Sequence, residues 1–293
     1  MKFKVFFQLI RWKNLLLGIA TLVLIKYYLI QKFIPDSNFS NFDFFLFIFG
    51  VASISAGGYV YNDIIDLKAD LINKPDKTYI GSSISKKSAQ YIIALLFILG
   101  SISGIVVAVK VELWYLSFYF LSIIIGLIAY SKNLKSIALI GNVTVSVLIS
   151  SSIIILPYFE KIEVQSIVFQ IISAYTLFAL MINFIRELVK DIEDINGDFA
   201  LNYTTLPIII GVKRTRFAVL GFSILFYLIL IFVTIHIKRF NVFLFYYAMV
   251  AVLVPLLYFI YKLYNAKTKK DYSKISQILK LIMLLGILSI FAF

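Results

Sequence analysis

The 293-residue chain has no cysteine. It can therefore build neither a disulfide framework nor a thiolate metal centre, and its redox compartment is left open. Its one histidine, His236, falls at the surface opposite the acidic motifs described below and is not expected to ligate a metal. Charge is scarce: 15% of residues are charged, against roughly 25% in a soluble domain. Hydrophobic residues make up 61%, and the mean hydropathy is +0.96. Together these exclude a soluble globular domain. No linker or low-complexity stretch divides the chain, so residues 1–293 are expected to form a single membrane domain. The basic, then apolar, N-terminal region lacks a small-residue cleavage site, so the first span is expected to be a retained anchor.

Apolar runs long enough to cross a bilayer lie near 14–33, 43–62, 89–109, 112–130, 136–158, 166–185, 216–237, 241–261 and 275–293. Nine transmembrane helices are expected. The net charge of +13 could suit nucleic acid, but its distribution follows topology instead. With the N-terminus inside, 22 of the 28 Lys and Arg fall on inside segments, from Lys2, Lys4, Arg11 and Lys13 through to Lys274 and Lys280, as the positive-inside rule requires. The outside loops are short and hold few charges, among them Asp36, Asp43, Glu112, Glu160 and Lys161. The 28 Phe and 19 Tyr read mainly as lipid-facing and interfacial residues.

The acids that remain are concentrated. Asn62-Asp63-x-x-Asp66-x-x-x-Asp70 recurs 128 positions later as Lys190-Asp191-x-x-Asp194-x-x-x-Asp198. On a helix, positions i, i+3 and i+7 fall at about 0°, 300° and 340°, so each trio projects from one narrow face. Such a face is tolerable only in water or around a cation. Mg²⁺, a hard ion, takes one or two carboxylates plus substrate phosphate oxygens. The pattern predicts a phosphorylated ligand. The copies end the second and sixth spans, so both face the same inside surface as a parallel repeat. Inverted transporter repeats would instead place ion sites near the midplane.

Around the motifs stand further candidates. Gly57 and Gly58 allow close helix approach. Lys74 and Lys77 flank Pro75 and Asp76 in a turn that could screen a pyrophosphate. Asn183, within the sixth span, needs a partner or a function. One turn on, Arg186 suits bidentate phosphate recognition, with Glu187 or Asp191 as its alternative salt-bridge partner. Tyr130 and Lys135 bracket a short basic turn, with Asn142 just beyond; Lys213, Arg214 and Arg216 add cations to the inside surface.

These residues resemble the UbiA superfamily of intramembrane prenyltransferases. The likeness rests on the NDxxDxxxD signature at Asn62 to Asp70, the following INKPDK at Ile72 to Lys77, the second aspartate motif and the helix count. It implies an all-α integral membrane fold, nine transmembrane helices bundled around a central cavity. It also implies transfer of an allylic prenyl group from its pyrophosphate to a lipophilic acceptor, with Mg²⁺ between the motifs. Asp63, Asp66, Asp191 and Asp194 are then the expected metal ligands, with Asp70 and Asp198 beside them. Asn62, Arg186, Lys190, Lys135 and Tyr130 would serve the pyrophosphate and the catalysis. Asn14, Lys74, Lys77, Asn142 and Asn183 would line the substrate site. RELVKDIEDINGD looks most like the digeranylgeranylglyceryl phosphate synthase branch, whose acceptor is a prenylglyceryl phosphate hydroxyl.

Aromatic acceptors of quinone, tocopherol or chlorophyll type stay open, and a divalent-cation transporter is the reading from another class. Two positions depart from the family pattern. Lys77 stands where an arginine is common, and Lys135 lies one residue too far from Tyr130, with Ser131 at the family spacing. No nucleic-acid partner is expected. The expected location is the cell inner membrane, multi-pass, with the site facing the cytoplasm.

Overall fold

The computed structural model describes residues 3–35 and 39–293. Lys2 and Asp36, assigned above to the inside and the outside, lie outside the described residues. Among the described residues, nine helices are long and apolar enough to cross a membrane: α1 (Trp12–Phe33), α2 (Asn41–Ile65), α3 (Lys86–Lys110), α4 (Trp114–Lys132), α5 (Ile140–Phe159), α6 (Ile167–Ala200), α7 (Val212–Ile237), α8 (Val242–Asn265) and α9 (Lys269–Ala292). Each matches one apolar run of the sequence. Several start at a hydroxyl cap. Ser40, Ser85 and Ser166 each accept a hydrogen bond from the backbone N–H three residues on, and Thr268 forms a capping box with Asp271.

The main difference from the expected boundaries is α6, which runs past residue 185 to Ala200, 34 residues in all. At 1.5 Å per residue it is about 51 Å long, well over the roughly 30 Å hydrocarbon core. Between Arg186 and Phe199 the one weak helix former of the glycine or proline kind is Gly197, and the helix runs through it. It ends where Asn202 adopts a left-handed conformation with φ 55°. The acidic motif lost apolarity there without losing helix.

Two apolar clusters fill the bundle. One joins α1 to α5 with the start of α6, including Leu29, Phe47, Phe120, Phe159 and Ile172. The other joins the rest of α6 to α7, α8 and α9, including Ile185, Leu188, Phe259 and Leu279. The long α6 passes through both. Close packing needs small residues: a Cβ on Gly57 would lie 2.6 Å from the Phe97 ring, and one on Gly58 2.8 Å from Leu127. At the far end, buried Lys26 of α1 pairs with Glu160 at 2.6 Å and donates to the Phe39 carbonyl at 2.9 Å. His236 is exposed there against Phe232, remote from the carboxylates.

Candidate active site

The two acidic motifs are presented differently. α2 ends at Ile65, and Asp66 (φ −81°, ψ 2°) starts a separate short helix, Leu67–Asn73. The first motif is thus not one uninterrupted helix, as its spacing predicts. Asp66 N–H still donates to the Asn62 carbonyl and Asp70 N–H to that of Asp66, each at 2.8 Å, so the side chains keep one strip despite the bend. The second motif lies wholly on α6. Asn73 ties the two together: its Nδ2 donates to the Asp194 carbonyl at 2.9 Å, and its Oδ1 accepts from Gly197 N–H at 3.2 Å. A Cβ on Gly197 would sit 2.3 Å from Asn73 Nδ2. Only glycine permits this approach.

Each carboxylate meets a specific group. Asp63 pairs with Arg11 at 2.8 Å, and Arg11 stacks over Tyr59 at 5.0 Å. Asp66 accepts from Asn62 Nδ2 at 2.6 Å and from Lys135 Nζ. Asp70 pairs with Lys74 at 3.2 Å, Asp191 accepts from Asn142 Nδ2 at 2.8 Å, and Asp198 from Thr205 at 3.3 Å. Lys135 also lies in the field of Asp198 and Tyr130. It is the cation through which the first motif faces the second. Asn133 (φ −127°, ψ −49°) ends α4, and the 3-10 turn Leu134–Ser136 folds Lys135 back toward Asp66. That turn brings Lys135 and Tyr130 together despite their spacing. Burial opposes the charge on Lys135, but Asp66, Tyr130 and Asp198 outweigh it and hold its pKa above the ordinary lysine range. Burial raises the pKa of Asp70, Lys74 counters it, and Asp66 and Asp63 add to it.

Among the described residues, no three acidic or histidine side chains converge into a ready-made metal cluster. The expected six-carboxylate centre is therefore not preformed; Arg11, Lys74 and Lys135 each neutralise one acid. The donor set still fits Mg²⁺, which needs few protein carboxylates when phosphate oxygens complete its shell. Two hard oxygens are placed for it: Asp66 Oδ1 and Asn62 Oδ1 are buried without a hydrogen-bond partner among the described residues, a costly state that a cation or its water would relieve.

From this layer a mostly apolar cavity descends between α1, α2, α4 and α5. It is lined by Asn14, Gly18, Val51, Tyr59, Tyr119, Phe120 and Leu148, among others. Asn14 and Tyr59 form its polar end. Other expected residues stand apart. Asn183 donates to the Ala179 carbonyl of its own helix at 2.8 Å, Lys77 is exposed on its turn, and no hydrogen bond or ion pair ties the Asp194 carboxylate to another side chain among the described residues. Arg186 and Lys190 both pair with Glu187, at 3.0 and 3.4 Å. Arg216 braces the turn after α8 by donating to the Ala266 carbonyl at 2.6 Å, so it does not serve the site.

Sequence reasoning missed Arg11 and Asn73 as residues that contact the motifs, and Lys280 as the partner of Asn14. Arg11 and Lys280 had counted only as topological charges. Their signal was position: Arg11 lies three residues before Asn14, and Lys280 lies inside an apolar run.

A sequence profile of the UbiA prenyltransferase family matches residues 12–285. The digeranylgeranylglyceryl phosphate synthase of Pyrococcus furiosus is 32% identical over 227 residues, 76% of this chain and 75% of that one. That of Thermococcus kodakarensis is 32% identical over 77% and 76% of the two chains. A solved structure concerned with digeranylgeranylglyceryl phosphate synthase in membranes superposes with a TM-score of 0.68 at 25% identity, over 99% of both chains. A UbiA homolog from Archaeoglobus fulgidus, solved with GPP and Mg²⁺, shares the fold at a TM-score of 0.66 and 13% identity, over 98% and 99%.

Proposed function

The chain belongs to the UbiA prenyltransferase family, and from that membership we propose that it transfers a geranylgeranyl group from its pyrophosphate to the free hydroxyl of geranylgeranylglyceryl phosphate. The observation that carries this reading is the pair of acidic motifs facing each other across Lys135, above a cavity of prenyl-like polarity. The relatives named for digeranylgeranylglyceryl phosphate synthesis supply the acceptor class.

The reaction breaks the donor's C1–O bond and joins C1 to the acceptor oxygen, and the hydroxyl proton passes to the released pyrophosphate. Asn62 and Lys135 hold the pyrophosphate oxygens, and Lys135 faces the charge that grows on the leaving group. Asp63, Asp66, Asp191 and Asp194 would hold Mg²⁺, with Asp70 and Asp198 beside them; bound there, the ion supplies further neutralisation of the pyrophosphate. Arg11 and Lys74 keep Asp63 and Asp70 oriented in the absence of ligand. Asn142 fixes the Asp191 carboxylate. The prenyl tail lies in the apolar cavity, with Tyr59 toward its polar end and Tyr119 and Phe120 farther in, a lining that keeps water from an allylic cation. The positive-inside pattern supports a cytoplasm-facing mouth.

Purified protein with Mg²⁺, geranylgeranyl pyrophosphate and a panel of acceptors, read by mass spectrometry, tests the proposal. Geranylgeranylglyceryl phosphate should be consumed and pyrophosphate released. Transfer to dihydroxynaphthoate or hydroxybenzoate, with none to the glyceryl phosphate, would reject the acceptor.

A further inference from the structure

A second basic centre lies beside the first and is built from different helices. Arg11 precedes α1, Arg186 and Lys190 project from α6, and Lys280 projects from α9. Lys280 is exposed and stands five residues into the apolar run that begins at 275. A lysine inside such a run is uncommon unless it has a task. Its Nζ donates to Asn14 Oδ1 at 3.1 Å, a neutral amide at the polar end of the cavity. Arg186, Lys190 and Arg11 all act on it electrostatically, and Glu187 acts in the opposite sense. Two carboxylates, Asp63 and Glu187, engage the other three cations directly. By direct pairs alone, four cations meet two carboxylates; Asp70 acts on Arg11 and Asp191 on Lys190 from further off. Arg186 Nε is buried without a partner among the described residues, although Nη1 of the same guanidinium is paired.

Two of these cations touch the polar end of the cavity, Lys280 through Asn14 and Arg11 through Tyr59, and with the unused guanidinium donor of Arg186 the group calls for an anion. Lys135, the cation of the pyrophosphate site, belongs to another group: Asp66, Tyr130 and Asp198 surround it. A donor pyrophosphate and an acceptor phosphate together need two cationic centres. A neutral acceptor needs one.

We propose that Lys280, with Arg186 and Arg11, forms an anion subsite at the mouth of the cavity, on the α1–α9 side, that binds the phosphate monoester of the acceptor. This rests on the prenylglyceryl phosphate reading above. Lys280 acts as a specificity determinant, by binding the phosphate, while the prenyl chemistry proceeds at the Lys135 side.

Steady-state kinetics of Lys280→Met in a nonionic detergent, free of anionic lipid, test this. The KM for geranylgeranylglyceryl phosphate should rise about tenfold or more, as expected for a lost charged hydrogen bond. The KM for geranylgeranyl pyrophosphate should stay within about twofold. With geranylgeranylglycerol, which lacks the phosphate, wild type and variant should differ little, and Lys280→Arg should restore the acceptor KM. An unchanged acceptor KM, a raised donor KM, or an equal loss with geranylgeranylglycerol would overturn the subsite. So would an effect that appears only when phosphatidylglycerol is added, since the site would then serve a bulk lipid headgroup. A wild-type protein inert toward geranylgeranylglyceryl phosphate overturns the acceptor reading, whereas an active wild type with an unchanged acceptor KM in Lys280→Met overturns the subsite alone.

Discussion

Lys135 is the residue on which the two motifs depend. It pairs with Asp66 and lies in the field of Asp198, and these acids keep it charged in spite of burial. Lys135→Met should lower kcat by about 10²–10³-fold, the usual cost of losing one preorganised group at a developing anion, while Lys135→Arg retains part of the rate. A kcat within a few-fold of wild type in the methionine variant would remove Lys135 from the chemistry. Asp63→Ala and Asp191→Ala should each abolish prenyl transfer in a protein that still elutes as a folded species in detergent. Added Mg²⁺ should rescue little, because each change removes an oxygen donor and leaves Arg11 or Asn142 without its acceptor. Near-normal activity in either would make a shared two-motif site untenable.

At the scale of elements, the junction between the short helix Leu67–Asn73 and α6 sets the register of the motifs. Gly197 is fixed by contact with Asn73 and the Ala69 carbonyl, the latter 2.9 Å from a built Cβ. Gly197→Val should push the helices apart and raise the Mg²⁺ concentration needed for half-maximal activity, measured by titration against wild type; an unchanged requirement would dissociate this contact from the site. At the opposite end, Lys26→Met leaves Glu160 buried without its cation. Such a change typically costs about 3–5 kcal/mol, and the loss should appear as a lower thermal midpoint that Lys26→Met/Glu160→Gln largely restores.

These elements also mark what the sequence could disclose. Apolar length revealed every span among the described residues, and the recurrence of Asp63-x-x-Asp66 as Asp191-x-x-Asp194 marked the candidate site, because both are local patterns. The bend at Asp66, the extension of α6 to Ala200 and the turn that returns Lys135 to Asp66 are set by backbone dihedrals and by packing between distant segments. The pairing of Arg11 with Asp63 and of Lys280 with Asn14 joins residues 52 and 266 positions apart. No periodicity encodes such contacts.

For the whole molecule, the four-helix offset between the motifs puts both on one side of the membrane. The absence of native cysteine makes this directly measurable. Single cysteines at positions 68 and 196 should react with an impermeant maleimide only from the cytoplasmic side, and labelling of either from outside would overturn the topology. The central claim is that the two motifs form one Mg²⁺-dependent pyrophosphate site. Calorimetric titration of the purified protein with geranylgeranyl S-thiolodiphosphate, an unreactive donor analogue, tests it most directly. Binding should require Mg²⁺, vanish with a chelator, and weaken at least about tenfold in both Asp66→Asn and Asp198→Asn, one from each motif. Binding that is unaffected by chelator, or that is lost in one of these variants and untouched in the other, would contradict it.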